Sequence, residues 1–518
     1  MAEQLPTRRG FLKTAGAAVA SGLAGDAIAS GLGGAASQET QHTGEQKSQL
    51  GTGVLIASEA AFCPTADGCT VHWVPSGTVE AQVLAGVNPG ELKLVRDLTT
   101  AKPTEMRLER FPPDSDLFWR CRFRARGESD WIVRPVRRMH TARAEGASFR
   151  VAVVADSHHY APGRAVARRI NLDKLFPRLL ADRPDFIIFM GDEAGIHHYG
   201  RPPDVVDQSV ARLRWASWRQ VFSPLLADVP SFMVLGNHEG EAGYYQVRRQ
   251  RGAESYLQRF GTVARKEFCR NPGPDTYPEG GENEGWAGDP KSAATGGASE
   301  GNRSPLENYF AWSWGDALFV VIDVHRYTSV GGSGPKVVEE WTLGEPQLKW
   351  LERTLLASRA RWKFVLAHHV VGGSAYAASG QIPHGRSDHV YGRGGARYAR
   401  VGEQARITDL MRRSKAQFFL YGHDHVFAHQ QAEGIHFVCC GRPTVLSYPW
   451  WDSPGWREAY GDPQARHPHD FFAAVGYTRL SVSPRQVRIE YIRTGTDPAE
   501  RENVLAGEGE TVYQFSVS

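Results

Sequence analysis

The chain has 518 residues, 41% hydrophobic and 23% charged, which excludes disorder of the whole molecule and leaves room for about two or three domains. Lys and Arg number 60 against 57 Asp and Glu, a net charge of +3, so long nucleic acid is not an expected partner. Six cysteines are too few for a scaffold built on disulfides.

In chain order, Thr7 to Lys13 comes first and reads TRRGFLK. It resembles the twin-arginine export signal of bacteria, with Arg8 and Arg9 as the pair and Phe11, Leu12 and Lys13 following. A weakly apolar, Ala- and Gly-rich run extends to Ala36. Residues 1–36 are therefore expected to be a signal peptide, cleaved after Ala29 or Ala36, and 37–50 a linker. The resemblance implies export in the folded state, to the periplasm or the medium. No membrane span is expected once the signal is removed.

Residues 51–144 carry strand signals and almost no helical periodicity. In CTVHW, Cys69, Val71 and Trp73 share a face. In VEAQV, Val79, Ala81 and Val83 do so, and in LFWRCRF, Leu117, Trp119, Cys121 and Phe123. Period-two alternation marks strands with one buried face, and several short ones predict a small β-sandwich of immunoglobulin or fibronectin-III type. Cys63 and Cys69 are near enough in sequence to bridge in an oxidising compartment, so a disulfide and two free thiols both remain open. Cys439 and Cys440 sit in the apolar run HFVCCG and read as small buried hydrophobes.

From 145 to 518 the pattern changes to apolar runs alternating with amphipathic stretches, the signature of an α/β domain. In QLKWLERTLL, Leu348, Leu351 and Leu355 fall on one helix face. The runs themselves end in polar clusters. RVAVVA leads into Asp156-Ser157-His158, DFIIFM into Gly191-Asp192, and SFMVL into Gly236-Asn237-His238-Glu239. KFVLA leads into His368-His369, and AQFFLY into Gly422-His423-Asp424-His425. The carboxyl ends of strands in α/β sheets form the crevice where ligands bind, so these clusters are expected to converge. Carboxylate oxygen with imidazole nitrogen suits Fe, Mn or Zn rather than Mg or Ca alone. The donors are too many for one tetrahedral site and fit two ions sharing a carboxylate, about 3.5–4 Å apart.

With these motifs the sequence resembles the calcineurin-like metallophosphoesterase superfamily, from about Arg150 to Thr496. The resemblance implies a four-layer α/β/β/α sandwich. It implies that Asp156, His158, Asp192 and His425 hold one metal, and Asp192, Asn237, His368 and His423 a second, with Asp192 bridging. His238 would stand beside the metals, oriented by Glu239, and assist the leaving group while a metal-bound hydroxide attacks phosphorus. A small-molecule phosphate mono- or diester is the implied substrate. The alternative is a phosphate-ester or nucleotide binding protein on a catalytically silent scaffold of the same family.

A β-domain ahead of such a domain is similar to the layout of purple acid phosphatases and D-type alkaline phosphatases. Here, however, Gly195 occupies the position of the metal-binding Tyr of the purple enzymes, and His158 is present where they lack a His. An iron–tyrosinate centre is therefore not expected. Arg265 to Pro305 reads as a long loop, and Gly372 to Arg400 as a second insert carrying His384, Arg386, His389, Tyr391, Arg393 and Arg397. Substrate selection is expected in these inserts, His159, Tyr160, His197 and His198 are candidates to support the ligands or contact substrate, and the aromatic run Ser447 to Trp456 reads equally as a pocket wall or as packing.

Overall fold

The computed structural model describes residues 57–159, 165–195, 208–239, 257–272, 308–323, 343–369, 403–432, 434–445, 470–497, 500 and 504–518. The export signal, the linker, Tyr160, His197, His198, the insert Gly372 to Arg400 and the run Ser447 to Trp456 lie outside the described residues, as does most of Arg265 to Pro305.

The first strands are β1 (Ala57–Phe62), β2 (Cys69–Pro75), β3 (Val79–Gly86), β4 (Lys93–Thr100), β5 (Thr104–Leu108), β6 (Asp116–Ala125), β7 (Ile132–Val133) and β8 (Arg137–His140). The expected alternation is borne out. β3 and β6 bury every second residue, so Val79, Ala81 and Val83 share one buried face with Leu117, Trp119, Cys121 and Phe123. Trp73 of β2 meets Phe123 of β6 edge to face, with ring centroids 5.0 Å apart. Cys63 and Cys69 do not form a disulfide with each other. The reason is geometric: Cys63 belongs to the large core that follows, whereas Cys69 points into the core shared with β3 and β6.

The apolar runs form β9 (Phe149–Val154), β10 (Phe186–Phe189) and β11 (Ser231–Met233), with helices α1 (Ala165–Asp182), α2 (Gln208–Asp228) and α3 (Leu257–Phe268) around them. Then come β12 (Phe310–Trp314), β13 (Ala317–Val321), α4 (Glu345–Ala357), β14 (Trp362–Leu366), α5 (Glu403–Arg413) and β15 (Phe418–Tyr421). The chain ends through β16 (Phe427–Ala432), β17 (Ile435–Cys440), β18 (Asp470–Phe472), β19 (Val475–Val482), β20 (Val487–Gly495) and β21 (Thr511–Val517).

Among the described residues, one sheet runs β21-β20-β19-β9-β10-β11-β1-β2-β5 and a second β12-β13-β14-β15-β17-β16-β18. β9, β10 and β11 are parallel, as are β13, β14 and β15. Strands β13, β14 and β15 are buried on both faces, which is why they read as continuous apolar runs. Their residues divide by parity. Phe319, Phe364 and Phe418 face the first sheet and stack at centroid distances of 4.8 and 4.6 Å. Val320, Val365 and Phe419 face the other way and pack with Leu348, Leu351 and Leu355 of α4 and Ile407 of α5. Helices α1 and α2 contribute Leu175, Leu179, Trp215 and Trp218 to the core of the first sheet. The result is the expected four layers, α/β/β/α, with mixed sheets.

Arg265 was expected in a loop but lies in the last turn of α3, fully buried, with its guanidinium donating to Asn308 Oδ1 at 3.3 Å. Helical spacing puts Ala264 and Phe268 on the core side of that turn, and this extends the helix past the expected boundary.

Candidate metal centre

Every motif lies just past the carboxyl end of a strand: Asp156 and His158 after β9, Asp192 after β10, His368 after β14, His423 and His425 after β15. Backbone bonds tie neighbouring motifs together. Asp156 N donates to Gly191 O (3.0 Å), His158 N to Asp192 O (2.8 Å), and Gly422 N to His368 O (3.0 Å). Parallel pairing within each sheet, and the packing of one sheet on the other, thus bring the clusters to one crevice.

The backbone there breaks local rules. Asp156, His158, Asp192, His423 and His425 all have left-handed φ, between 47 and 69°. Such conformations cost about 1 kcal/mol or more per non-glycine residue and persist only where surrounding structure imposes them. Glycines permit the close approach. A Cβ on Gly236 would lie 2.3 Å from Asp192 Oδ1, and one on Gly191 (φ +93) 2.6 Å from Gly236 N.

The donor atoms of Asp156, His158, Asp192 and His425 lie within 4.8 Å of one another, and all four residues are buried. His425 Nε2 is 2.6 Å from His158 Nε2 and 3.1 Å from Asp156 Oδ1. A second group, His368, His369 and His423, meets the same spacing. His368 Nε2 stands 3.2 Å from Asp192 Oδ2, so Asp192 faces both groups, as a bridge requires. His369 was not expected among the ligands, although its place beside His368 was visible in the sequence. Asn237 opens the short turn Asn237–Glu239, but its side chain lies outside the described residues.

The environment favours cations. His368 Nδ1 lies 2.7 Å from the carbonyl of Met190, which fixes a proton there and turns Nε2 toward Asp192. Asp192 Oδ1 accepts the backbone N–H of His238 at 2.8 Å, whereas among the described residues Asp192 Oδ2 and His368 Nε2 are buried without a well-aligned hydrogen-bond partner. Buried polar atoms without partners are costly, so this pair is suited to an ion. Burial alone would raise Asp156, but the imidazoles of His425 and His158 hold its carboxyl well below the usual range. Asp192 is lowered likewise, burial being outweighed by His368 and His158. Burial alone would lower His368, yet Asp192 and Asp156 push it up to about 9. A bound cation would replace these protons as the partner of the carboxylates.

His238 is buried beside this group. Its Nε2 is 3.5 Å from Asp192 Oδ2 and its ring meets that of His158 edge to face at 4.7 Å. Glu239, expected to orient His238, bonds to the backbone around Asp192. Its Oε2 accepts the backbone N–H of Asp192 (3.0 Å) and Gly236 (2.6 Å), and its Oε1 those of Glu193 (2.6 Å) and Ala194 (3.1 Å). The carboxylate therefore fixes the loop that carries Asp192, because backbone donors within reach saturate both oxygens. His159, expected near the substrate, has its Nε2 2.9 Å from Ser217 Oγ of α2.

The profile of the calcineurin-like phosphoesterase family matches residues 149–427, more than half of the chain. The protein belongs to the calcineurin-like phosphoesterase family. The chain is similar in fold to a solved structure of PhoD, with 16% identity over 86% of this chain and 88% of that one and a TM-score of 0.60. It is also similar to the purple acid phosphatase PPD1 from yellow lupin (Lupinus luteus) seeds, with 13% identity over 89% and 74% of the chains and a TM-score of 0.54. A search of curated protein sequences gives no match. Among the described residues, no helix is long and apolar enough to cross a membrane.

Proposed function

We propose that this phosphoesterase is an exported enzyme that uses two metal ions, drawn from Fe, Mn and Zn, to hydrolyse small phosphate mono- or diesters. The observation that carries this reading is the donor set itself. Asp156, His158, Asp192 and His425 converge within 4.8 Å, and among the described residues the Asp192 Oδ2 facing His368 Nε2 has no well-aligned hydrogen-bond partner. Asp156, His158, Asp192 and His425 would hold one ion, and Asp192, Asn237, His368 and His423 the other, with His369 at hand. When bound, two cations supply a water of lowered pKa and neutralise charge developing on phosphate oxygens.

The protein's own groups then have defined tasks. Asp192 is the bridge, held from behind by the His238 amide. Glu239 fixes the peptide planes on which Asp192 sits. His238 presents Nε2 to the crevice and donates a proton to the departing ester oxygen, a task suited to imidazole near neutral pH. The TRRGFLK motif supports export by the twin-arginine route, with residues 1–36 as signal and 37–50 as linker. We place the strand module at 51–144 and the phosphoesterase domain at 145–518.

The test is a matched pair of aryl phosphates, one monoester and one diester, offered to metal-stripped protein reloaded separately with Mn, Zn or Fe. Metal-dependent hydrolysis of either is expected, and the ratio of the rates assigns phosphatase or phosphodiesterase. Two bound metals with no hydrolysis of either ester would favour the silent-scaffold binding protein instead.

A further inference from the structure

We propose that Arg442, Thr444 and Asp497 form a buried clamp that positions His425 and Asp156 for cation binding; this rests on the metal-dependent reading above. Arg442 and Asp497 form an ion pair at 2.7 Å, and both side chains are 0% exposed. Two other nitrogens of the guanidinium donate to main chain. Nε donates to the carbonyl of His425 at 2.9 Å, and Nη1 donates to the carbonyl of Thr444. Thr444 Oγ1 in turn donates to the carbonyl of Asp156 at 3.3 Å. One short segment, after β17, thus holds the main chain of two residues from the same four-donor group.

Both gripped residues are strained: Asp156 has φ 55° and His425 φ 59°. Pinning a carbonyl fixes the peptide plane after the residue, and with it the direction in which the side chain leaves the backbone. Asp497 lies just past β20, so the C-terminal part of the sheet is coupled to the crevice. The energetics point the same way. A buried ion pair costs several kcal/mol in lost hydration, and apolar residues of similar volume often fold as well or better. Folding alone gives little reason for a pair at this place, whereas preorganising a ligand does. Arg442 is a positioning residue, since it reaches the site only through the backbone of His425.

The test compares the wild-type chain with Thr444→Val and with the double variant Arg442→Met/Asp497→Leu. Mn2+ retention is measured by equilibrium dialysis, and the unfolding temperature on metal-free protein. The double variant is expected to melt close to wild type yet bind one of its two Mn2+ ions about tenfold or more weakly. Thr444→Val should weaken the same ion by a smaller factor. A double variant that folds and keeps both ions at wild-type affinity overturns the clamp and leaves the pair a purely structural one. If the double variant does not fold, Thr444→Val decides, and unchanged affinity there overturns the clamp. A wild-type chain that binds no Mn2+ overturns the metal-dependent reading itself, and the clamp with it.

Discussion

Two regions of this chain follow opposite rules. In the core between β2 and β5 on one side and β3 and β6 on the other, strand periodicity and burial agree: apolar side chains alternate inward, and Trp73 and Trp119 are buried in ordinary strands. At the strand ends around Asp192, the backbone is left-handed at five candidate ligands, and carboxylates and imidazoles crowd together in burial. Consistency of local and global preference is what makes a sequence fold, so a cluster of violations marks where structure has been given up for chemistry. Changes in the first region should alter stability alone, and changes in the second activity and metal content.

The largest effect is expected for Asp192→Ala, which removes the carboxylate that stands 3.2 Å from His368 Nε2 while belonging to the first donor group. Stable metal loading should be lost and turnover should fall by about a thousandfold or more, as metal analysis and ester hydrolysis will record. Normal metal stoichiometry in that variant would refute the bridge. His238→Ala separates chemistry from binding within the same crevice. Turnover should drop by about 10²–10⁴ with metal content unchanged, and loss of both metals would show that His238 is a ligand instead.

Trp119→Ala is the converse change in the ordered core. It should cost about 3–5 kcal/mol in denaturant unfolding, with metal stoichiometry and the turnover of folded protein intact. A selective loss of metal there would erase the contrast between the regions.

The smallest effect lies where the two sheets meet at β16 and β21. His429 stacks on Phe515 with ring centroids 3.7 Å apart, and its Nε2 is 2.9 Å from His436 Nδ1. Burial first, and then His436, lowers His429 to about 3. The folded value lies below that of the unfolded chain, so between the two the unfolded chain binds more protons. Stability is therefore complete above about pH 6.5 and falls as pH drops through that value, by at most about 1.4 kcal/mol per pH unit. His429→Phe should flatten this slope in unfolding curves taken between about pH 7 and 5. A variant with the wild-type acid slope would assign the dependence elsewhere.

Much of this was legible in the sequence, for identifiable reasons. Alternation is a local signal, so the strands of LFWRCRF and VEAQV could be read directly. The apolar runs of β13 to β15 were equally plain, because two-sided burial demands them. The convergence of Asp156, Asp192, His368 and His425 could be anticipated because each follows such a run. What stayed hidden depends on partners distant in the chain. β1 pairs with β11 through Phe62 and Ser231, and it carries Glu59, almost fully buried beside Arg134 and Arg137. A short, Ala-rich segment with a charged residue gives no outward sign of that place. The hold of Glu239 on the Asp192 loop could not be read, because its partners there are backbone amides, which have no letter in a sequence. Asp497 was invisible for a similar reason, since nothing local connects it with a histidine more than two strands away.

The central claim is that two ions in one crevice carry the hydrolysis. It is tested most directly by adding Mn2+ in steps to metal-stripped protein while bound metal and aryl phosphate hydrolysis are followed together. Activity that climbs to a plateau at two ions per chain is the predicted result. Saturation at one ion, or hydrolysis that persists without metal, would contradict it.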